Sequence, residues 1–374
     1  IIKYLTVVLL LVVSASGQEL QRRAGGGGQG FDTSSWPKAA ARPGMSDAEI
    51  VKALGDYLGE MSKGDYFSGT VLLAKNGKPL FTQSSGLADR DFNVPNNNDT
   101  KYNLASINKI FTDMALVQLR DAGKLDFSKT VRTYLPDYPN ELADKVTIDQ
   151  LMHHTSGMGD IFGPEFDATP KNKLRTLQDH LPLFAGKPLE FEPGTRTRYS
   201  NAGYVVLGLV IEKLTGASYY DYVREHVFKP AGMTSTDSYF ADAVVPNRAV
   251  GYTRGRGVTT GERRANFFLH GARGTSAGGG YSTAGDLLRF ANALLAGKII
   301  SRASVVKHFN VPADGPDDKP VMLRADLRGG AQGANTVLSL QGEWVLIALA
   351  NYDGPAAGEV ARNFYALLGR TQGD

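Results

Sequence analysis

No cysteine occurs in the 374 residues, which excludes disulfides, thiolate nucleophiles and a lipid-carrying cysteine. Metal-binding patterns are missing as well. Of the six histidines, His153 and His154 are adjacent and none belongs to a His-Glu-x-x-His spacing. Asp314, Asp317 and Asp318 lack calcium-loop spacing and read as solvated charges. Neither a metal nor a cofactor is expected. Charge of one sign is scarce: 41 basic against 38 acidic side chains leave a net charge of +3, so no broad basic field points to nucleic acid. The glycine run Gly25 to Gly28 has no Gly-Lys-Ser/Thr after it, which excludes a phosphate loop.

What is present is an ordinary globular balance, 42% hydrophobic and 21% charged, in a chain long enough to bury a large core. Residues 1–17 read as an export signal, with Lys3 as the positive end, Tyr4 to Val13 as the apolar stretch and Ala15-Ser16-Gly17 as small residues before the cut. A membrane anchor is the alternative, but the apolar run is short against the roughly 20 residues that a spanning helix needs. The expectation is a periplasmic or secreted protein with no stable membrane span after signal cleavage. Residues 18–45, rich in glycine with two prolines, read as a flexible linker.

Residues 46–370 read as one α+β domain. Ser46-Asp47-Ala48-Glu49 is a capping box opening a helix striped by Ile50, Leu54 and Leu58. Asn76-Gly77 predicts a hairpin joining 69–75 to 78–83, because both turn residues tolerate positive φ. A second hairpin is expected at 335–340 and 343–350 across Gln341-Gly342, followed by a helix over 357–368. Helices are predicted at 104–122, 148–153, 202–214, 219–228 and 283–295. Strand pairs at both ends with helices between them predict a central antiparallel sheet built from both termini and flanked by helices, 46–103 with 277–370, plus a mainly helical subdomain, 104–276.

Three Ser-x-x-Lys spacings occur, Ser35/Lys38, Ser106/Lys109 and Ser304/Lys307. The first encloses Pro37 in the expected linker, and the third lies in a short amphipathic stretch. Only Ser106-Ile107-Asn108-Lys109 enters a long helix with a buried stripe. Residues three apart share a helix face, so the Lys109 amine can reach the Ser106 hydroxyl. Burial and the positive helix N-terminus disfavour the ammonium, leaving an amine able to take the serine proton. The Ser106 N–H, unpaired in the first turn, can donate to an oxyanion. Tyr-x-Asn occurs twice. Tyr138-Pro139-Asn140 reads as a turn, whereas Tyr199-Ser200-Asn201 stands at a helix entrance. There Tyr199 would relay a proton, its phenol made more acidic by Lys109, and Asn201 would orient Lys109 and hold a substrate carbonyl. The competing reading of Asn201 is a helix cap. A rival nucleophile, Ser276, sits in Gly274-Thr275-Ser276-Ala277-Gly278, the pattern of a nucleophile elbow, but Gly279-Gly280 follows where an elbow needs a helix.

Together with Leu151-Met152-His153-His154-Thr155-Ser156-Gly157, Phe191-Glu192-Pro193-Gly194, Pro230-Ala231-Gly232-Met233, Gly278-Gly279-Gly280-Tyr281 and Leu349-Ala350-Asn351-Tyr352-Asp353, these motifs resemble the serine β-lactamase/penicillin-binding-protein superfamily. They resemble in particular its class C-like branch, with family VIII carboxylesterases and D-alanyl-D-alanine carboxypeptidases. The resemblance covers about Phe67 to Leu368 and implies a β-lactamase/transpeptidase-like fold. It implies catalytic roles for Ser106, Lys109 and Tyr199 and substrate binding by Asn201. Its third motif, Lys-Thr-Gly or His-x-Gly, is degenerate here. Aligning Arg328-Gly329-Gly330-Ala331 to it keeps a cation at Arg328 and makes the Ala331 N–H the second oxyanion donor, while a shift by one residue puts Leu327 in the basic position. The first register is preferred. The implied function is a serine hydrolase of esters or amides working through an acyl-enzyme, carboxylesterase-like, with weak β-lactamase or D,D-peptidase activity beside it. Implied partners are a small-molecule ester, a β-lactam or a peptidoglycan-derived peptide. A non-catalytic protein that binds peptidoglycan peptides is the alternative.

Overall fold

A computed structural model describes residues 32–255, 258, 260–311 and 320–370. The expected export signal, residues 18–31 of the expected linker, and Asp314, Asp317 and Asp318 lie outside the described residues.

The fold is α+β around a central antiparallel sheet of five strands: β1 Gly69–Lys75, β2 Lys78–Ser85, β3 Arg324–Ala331, β4 Ala334–Gln341 and β5 Trp344–Ala350. Their order is β2-β1-β5-β4-β3, so strands from both ends of the chain meet at the β1–β5 seam, Gly69 opposite Ala350. Asn76 and Gly77, at φ 50° and 75°, close the first hairpin as the sequence predicts. The β4–β5 turn falls one residue later than expected, on Gly342-Glu343, because Gly342 takes the positive-φ first position while Gln341 pairs with Trp344.

Alternate residues of the sheet enter two different cores. Val71, Leu73, Val337, Leu346 and Ala348 face α1 (Asp47–Lys63) and α8 (Ala356–Leu367). Leu72, Leu338, Ile347 and Leu349 face the helical region. Every residue of β5 is buried, as a strand covered on both faces must be. The capping box at Ser46 and Glu49 forms as predicted. The helical region includes α2 (Lys109–Asp121), α3 (Ile148–Met152), α4 (Asn201–Thr215) and α5 (Tyr219–Val223), followed by α6 (Ala284–Leu295) and α7 (Arg302–Phe309). No helix among the described residues is long and apolar enough to cross a membrane.

Residues 32–45 depart from the linker expectation. The Thr33 hydroxyl donates to the buried Glu359 carboxylate at 2.9 Å, and the Ala39 N–H donates to Asn363 Oδ1 at 2.8 Å. Trp36 stacks on Tyr66 with ring centroids 4.8 Å apart. The segment straps α8, because two polar acceptors on that helix and one aromatic face offset the composition of the strap.

Candidate active site

Ser106 does not stand within a continuous helix. Residues 105–108 form a 3₁₀ turn, and the α-helix begins at Lys109. Ala105 sits at φ 46°, a conformation unusual for a residue with a Cβ, and is held there by neighbours. Its N–H donates to Asn103 Oδ1 at 2.8 Å, the Leu104 carbonyl accepts from Thr336 Oγ1 at 2.9 Å, and the Leu104 N–H donates to the Gly280 carbonyl at 2.7 Å. β4 and the 274–280 loop thereby clamp the entry to the turn and set Ser106 half-buried at its mouth.

Three further predicted residues converge on it. Tyr199 donates its hydroxyl to Ser106 Oγ at 2.6 Å, and Lys109 Nζ lies 3.3 Å from the same atom. Asn201 Oδ1 accepts from Lys109 Nζ at 2.8 Å, and the Ala277 carbonyl accepts a further Lys109 hydrogen bond. Lys109 also lies over the rings of Tyr199 and Tyr204, 4.7 and 5.2 Å from their centroids. Burial pulls the Lys109 ammonium down to about 7, against the opposing pull of the Asp160 and Asp113 carboxylates.

Tyr199 behaves differently from the expectation. Burial raises its phenol above the ordinary tyrosine range, the Ser106 hydrogen bond opposes this, and Asp160 adds to it. Lys109, itself pushed toward neutrality, is no fixed positive charge that could make the phenol acidic. Tyr199 is therefore a neutral hydrogen-bond donor. His154, to which the sequence reading gave no role at the site, lies beneath it with ring centroids 4.5 Å apart. Burial, then Lys109, holds His154 down to about 3, and its Nδ1 accepts the Ser200 N–H at 3.2 Å.

The third motif is where side-chain direction corrects the preferred register. In β3, Leu327 pairs with Leu338 and Gly329 with Thr336, and both partners face the helical core and Leu104. Arg328 pairs with Val337, which faces α8, and its guanidinium bonds Asp326 at 3.0 Å on that same side. Strict alternation turns Arg328 away from Ser106. The residue pressed against the nucleophile is Gly329, where a Cβ would lie 2.3 Å from the Leu104 carbonyl oxygen and 3.0 Å from the Ser106 nitrogen. Gly330 is exposed, with no atom within 4 Å of a Cβ there, and Ala331 closes the hairpin opposite Ala334. Leu327, and not Arg328, is thus the side chain on the nucleophile face of β3, as the register shifted by one residue expects.

The remaining rivals fall apart structurally. Ser276 is fully buried, and its hydroxyl donates to the Tyr204 carbonyl at 2.7 Å. Ser304 lies in the first turn of α7, its N–H donating to the Ser301 cap at 3.1 Å and its Oγ accepting from Ser301 Oγ at 3.0 Å, while Lys38 reaches Glu359. Asn140 accepts the Leu142 N–H at 3.0 Å, the turn predicted for Tyr138-Pro139-Asn140.

One acidic residue escaped the sequence reading. Asn201 Nδ2 donates to both carboxylate oxygens of Asp160, at 3.1 and 2.9 Å. No spacing rule links residues 160 and 201, so nothing in the sequence marked the pair.

Residues 47–370 match the Beta-lactamase family. A penicillin-binding protein of Bacillus subtilis (strain 168) is 33% identical over 272 residues, 70% of this chain and 58% of that protein, so the chain spans little more than half of that relative. PbpX of the same strain is 30% identical over 322 residues, 84% of this chain and 78% of PbpX. Among solved structures, the penicillin binding protein from Bacillus halodurans matches with a TM-score of 0.72 at 30% identity, over 83% of this chain and 99% of that one.

Proposed function

The chain belongs to the beta-lactamase family, and on that premise we propose that it is a serine hydrolase of esters and uncharged amides that works through an acyl-enzyme on Ser106. The observation that carries this reading is the pair of contacts on one oxygen: Ser106 Oγ lies 2.6 Å from the Tyr199 hydroxyl and 3.3 Å from Lys109 Nζ. A neutral lysine amine has two hydrogens and one lone pair. Asn201 Oδ1 and the Ala277 carbonyl accept the two hydrogens, which leaves the lone pair for the Ser106 proton.

The steps follow from these positions. Ser106 Oγ attacks the substrate carbonyl as its proton passes to Lys109 Nζ. The oxyanion receives the Ser106 N–H and a backbone N–H of β3. Because a two-residue turn makes Ala331 and Ala334 the closing hydrogen-bonded pair, the ladder alternation spends the Ala331 N–H and turns that of Gly330 toward the open edge. Gly330 therefore replaces Ala331 as the second donor. Tyr199 hands its proton to the leaving group and regains one from the water that attacks the acyl carbon, while the Lys109 ammonium returns its proton to the departing Ser106 Oγ. Water then cleaves the acyl-enzyme by the reverse path.

Substrate preference rests on charge. Leu327 faces the site where a cation would hold a carboxylate, Arg328 is engaged with Asp326 on the other face, and the Asp160 carboxylate stands behind Asn201. A lost charge-assisted contact of this kind is worth about 1.5–3 kcal/mol, or roughly 10- to 100-fold. p-Nitrophenyl butyrate is therefore expected to exceed benzylpenicillin by about that factor in kcat/KM. Intact-mass analysis with a fluorophosphonate is expected to give one adduct, mapped to Ser106. An adduct on Ser276 would overturn the assignment, and no adduct with retained muropeptide affinity would establish the non-catalytic peptide-binding reading instead. The pH dependence has a definite sign. Because the reactive form is the neutral Lys109 amine, kcat/KM should fall as pH drops through about 7, by about tenfold per unit below it. The export expected from residues 1–17 would place this activity in the periplasm or outside the cell.

A further inference from the structure

Asp160 lies on the loop that runs from α3 to the turn before Pro164, far in sequence from the Ser-x-x-Lys and Tyr-x-Asn motifs. Several fixed contacts deliver it to the site. Ser200 Oγ donates to the Gly159 carbonyl at 2.6 Å and accepts the Gly203 N–H at 3.0 Å, pinning the loop to the first turn of α4. Gly157, at φ 77°, lets the loop pass the Phe191 carbonyl, which a Cβ there would meet at 2.2 Å. The Asp160 carboxylate accepts the Phe162 N–H at 3.3 Å, forming a local turn, and accepts from Asn201 Nδ2 with both oxygens.

That two-oxygen contact determines which way the Asn201 amide faces. A carboxylate accepts only, so the nitrogen of the amide must turn to Asp160 and the oxygen to Lys109. Flipped, the amide would set its oxygen against the carboxylate and its N–H₂ against the lysine amine, two repulsive contacts in place of two favourable ones. Two acidic groups act on Lys109: Asp160 through this loop, and Asp113 one turn along α2, which accepts from the Tyr204 hydroxyl at 3.0 Å and whose carboxyl burial raises to about 7, so that it titrates in the same range as the amine in every variant. The other titratable groups facing the amine are neutral: Tyr199 and Tyr204 from α4 and its entrance, and His154 from the end of α3.

We propose that Asp160 is a positioning residue for Lys109: it locks the Asn201 amide with its oxygen on the lysine amine and supplies a negative charge that keeps the buried amine able to hold a proton. This rests on the serine-hydrolase reading above, and it assigns Asp160 two separable tasks, one steric and one electrostatic. A residue that merely tied the loop down would perform neither.

The test reads Lys109 directly. In full-length protein carrying ¹³C-labelled lysine, the Lys109 ε-carbon resonance, assigned with Lys109→Arg, is titrated in wild type, Asp160→Asn and Asp160→Glu. Loss of a nearby opposite charge moves a titration by about one unit or more. The midpoint in Asp160→Asn is expected about one pH unit below wild type, while Asp160→Glu, which retains the charge, stays near it. With p-nitrophenyl butyrate the acid limb of kcat/KM should move by the same amount in Asp160→Asn. kcat, normalised to fluorophosphonate-titratable sites, should fall about tenfold, less than the roughly 10²- to 10⁴-fold that a proton-transfer group contributes, because Lys109 itself is retained. An unchanged midpoint in folded Asp160→Asn overturns the proposal. If Asp160→Asn does not fold, Asp160→Glu decides: a midpoint shifted as if the charge were lost overturns it. If wild type takes no fluorophosphonate while the midpoint still shifts, the hydrolase reading fails and the assignment of Asp160 stands.

Discussion

Ser106→Ala is expected to lower kcat for p-nitrophenyl butyrate by on the order of 10⁴- to 10⁶-fold, and Lys109→Met to do nearly as much. The two groups act as one device. Ser106 Oγ has the lysine amine and the tyrosine hydroxyl as its partners, and the amine has no route to substrate except through the serine. Without the serine there is no acyl-enzyme, and without the amine the serine proton has no acceptor. The double variant should therefore be no worse than Ser106→Ala alone, within a few-fold. Lys109→Arg keeps a cation yet should be as inactive as Lys109→Met, because a guanidinium cannot be neutral at any relevant pH. Turnover above about 1% of wild type in Ser106→Ala would remove the serine from its role. Additive losses in the double variant would show two independent contributions in place of one device.

Much of this arrangement was legible because it rests on local rules. A three-residue spacing puts a lysine on the same side as a serine whether the backbone is α or 3₁₀, so the pair survived the discovery that the helix starts only at Lys109. Asn76-Gly77 fixed a hairpin because both positions require a conformation few residues adopt. What stayed hidden depends on contacts across the fold. Asp160 and Asn201 meet because a loop is pinned by Ser200, and no periodicity encodes that. The strap at 32–45 has a linker's composition, and only the acceptors Glu359 and Asn363 on α8 give it a place. Tyr199 was misread through charge: a lysine in the sequence counts as a cation, but this one is buried until its ammonium is held down to about 7.

The third motif was hidden for a different reason, and it supports the second large prediction. Leu327-Arg328-Gly329-Gly330 offers two adjacent glycines, and glycine has no side chain to signal which face it takes. Facing is decided by the partners across the ladder, Thr336 on the nucleophile side and Val337 on the α8 side. Gly329→Ala would then drive a methyl to within 2.3 Å of the Leu104 carbonyl oxygen, 2.4 Å of Thr336 Oγ1 and 3.0 Å of the Ser106 nitrogen. Two of these three atoms belong to backbone that holds the nucleophile turn, so relief requires β3 to move away from Ser106. Overpacking of this kind costs about 1–3 kcal/mol, which should lower Tm by several degrees. A displacement of about 1 Å at the oxyanion site is worth on the order of 10²-fold, so kcat/KM should fall by at least that factor. Gly330→Ala adds its methyl where no atom lies within 4 Å, and should retain Tm and kcat/KM within a few-fold. The pair separates the two registers cleanly, because the alternative, with Gly330 against the nucleophile, predicts the reverse. Thermal melts and ester kinetics on both variants decide it: a silent Gly329→Ala beside a damaged Gly330→Ala would restore Arg328 to the substrate side and remove the basis for expecting uncharged substrates.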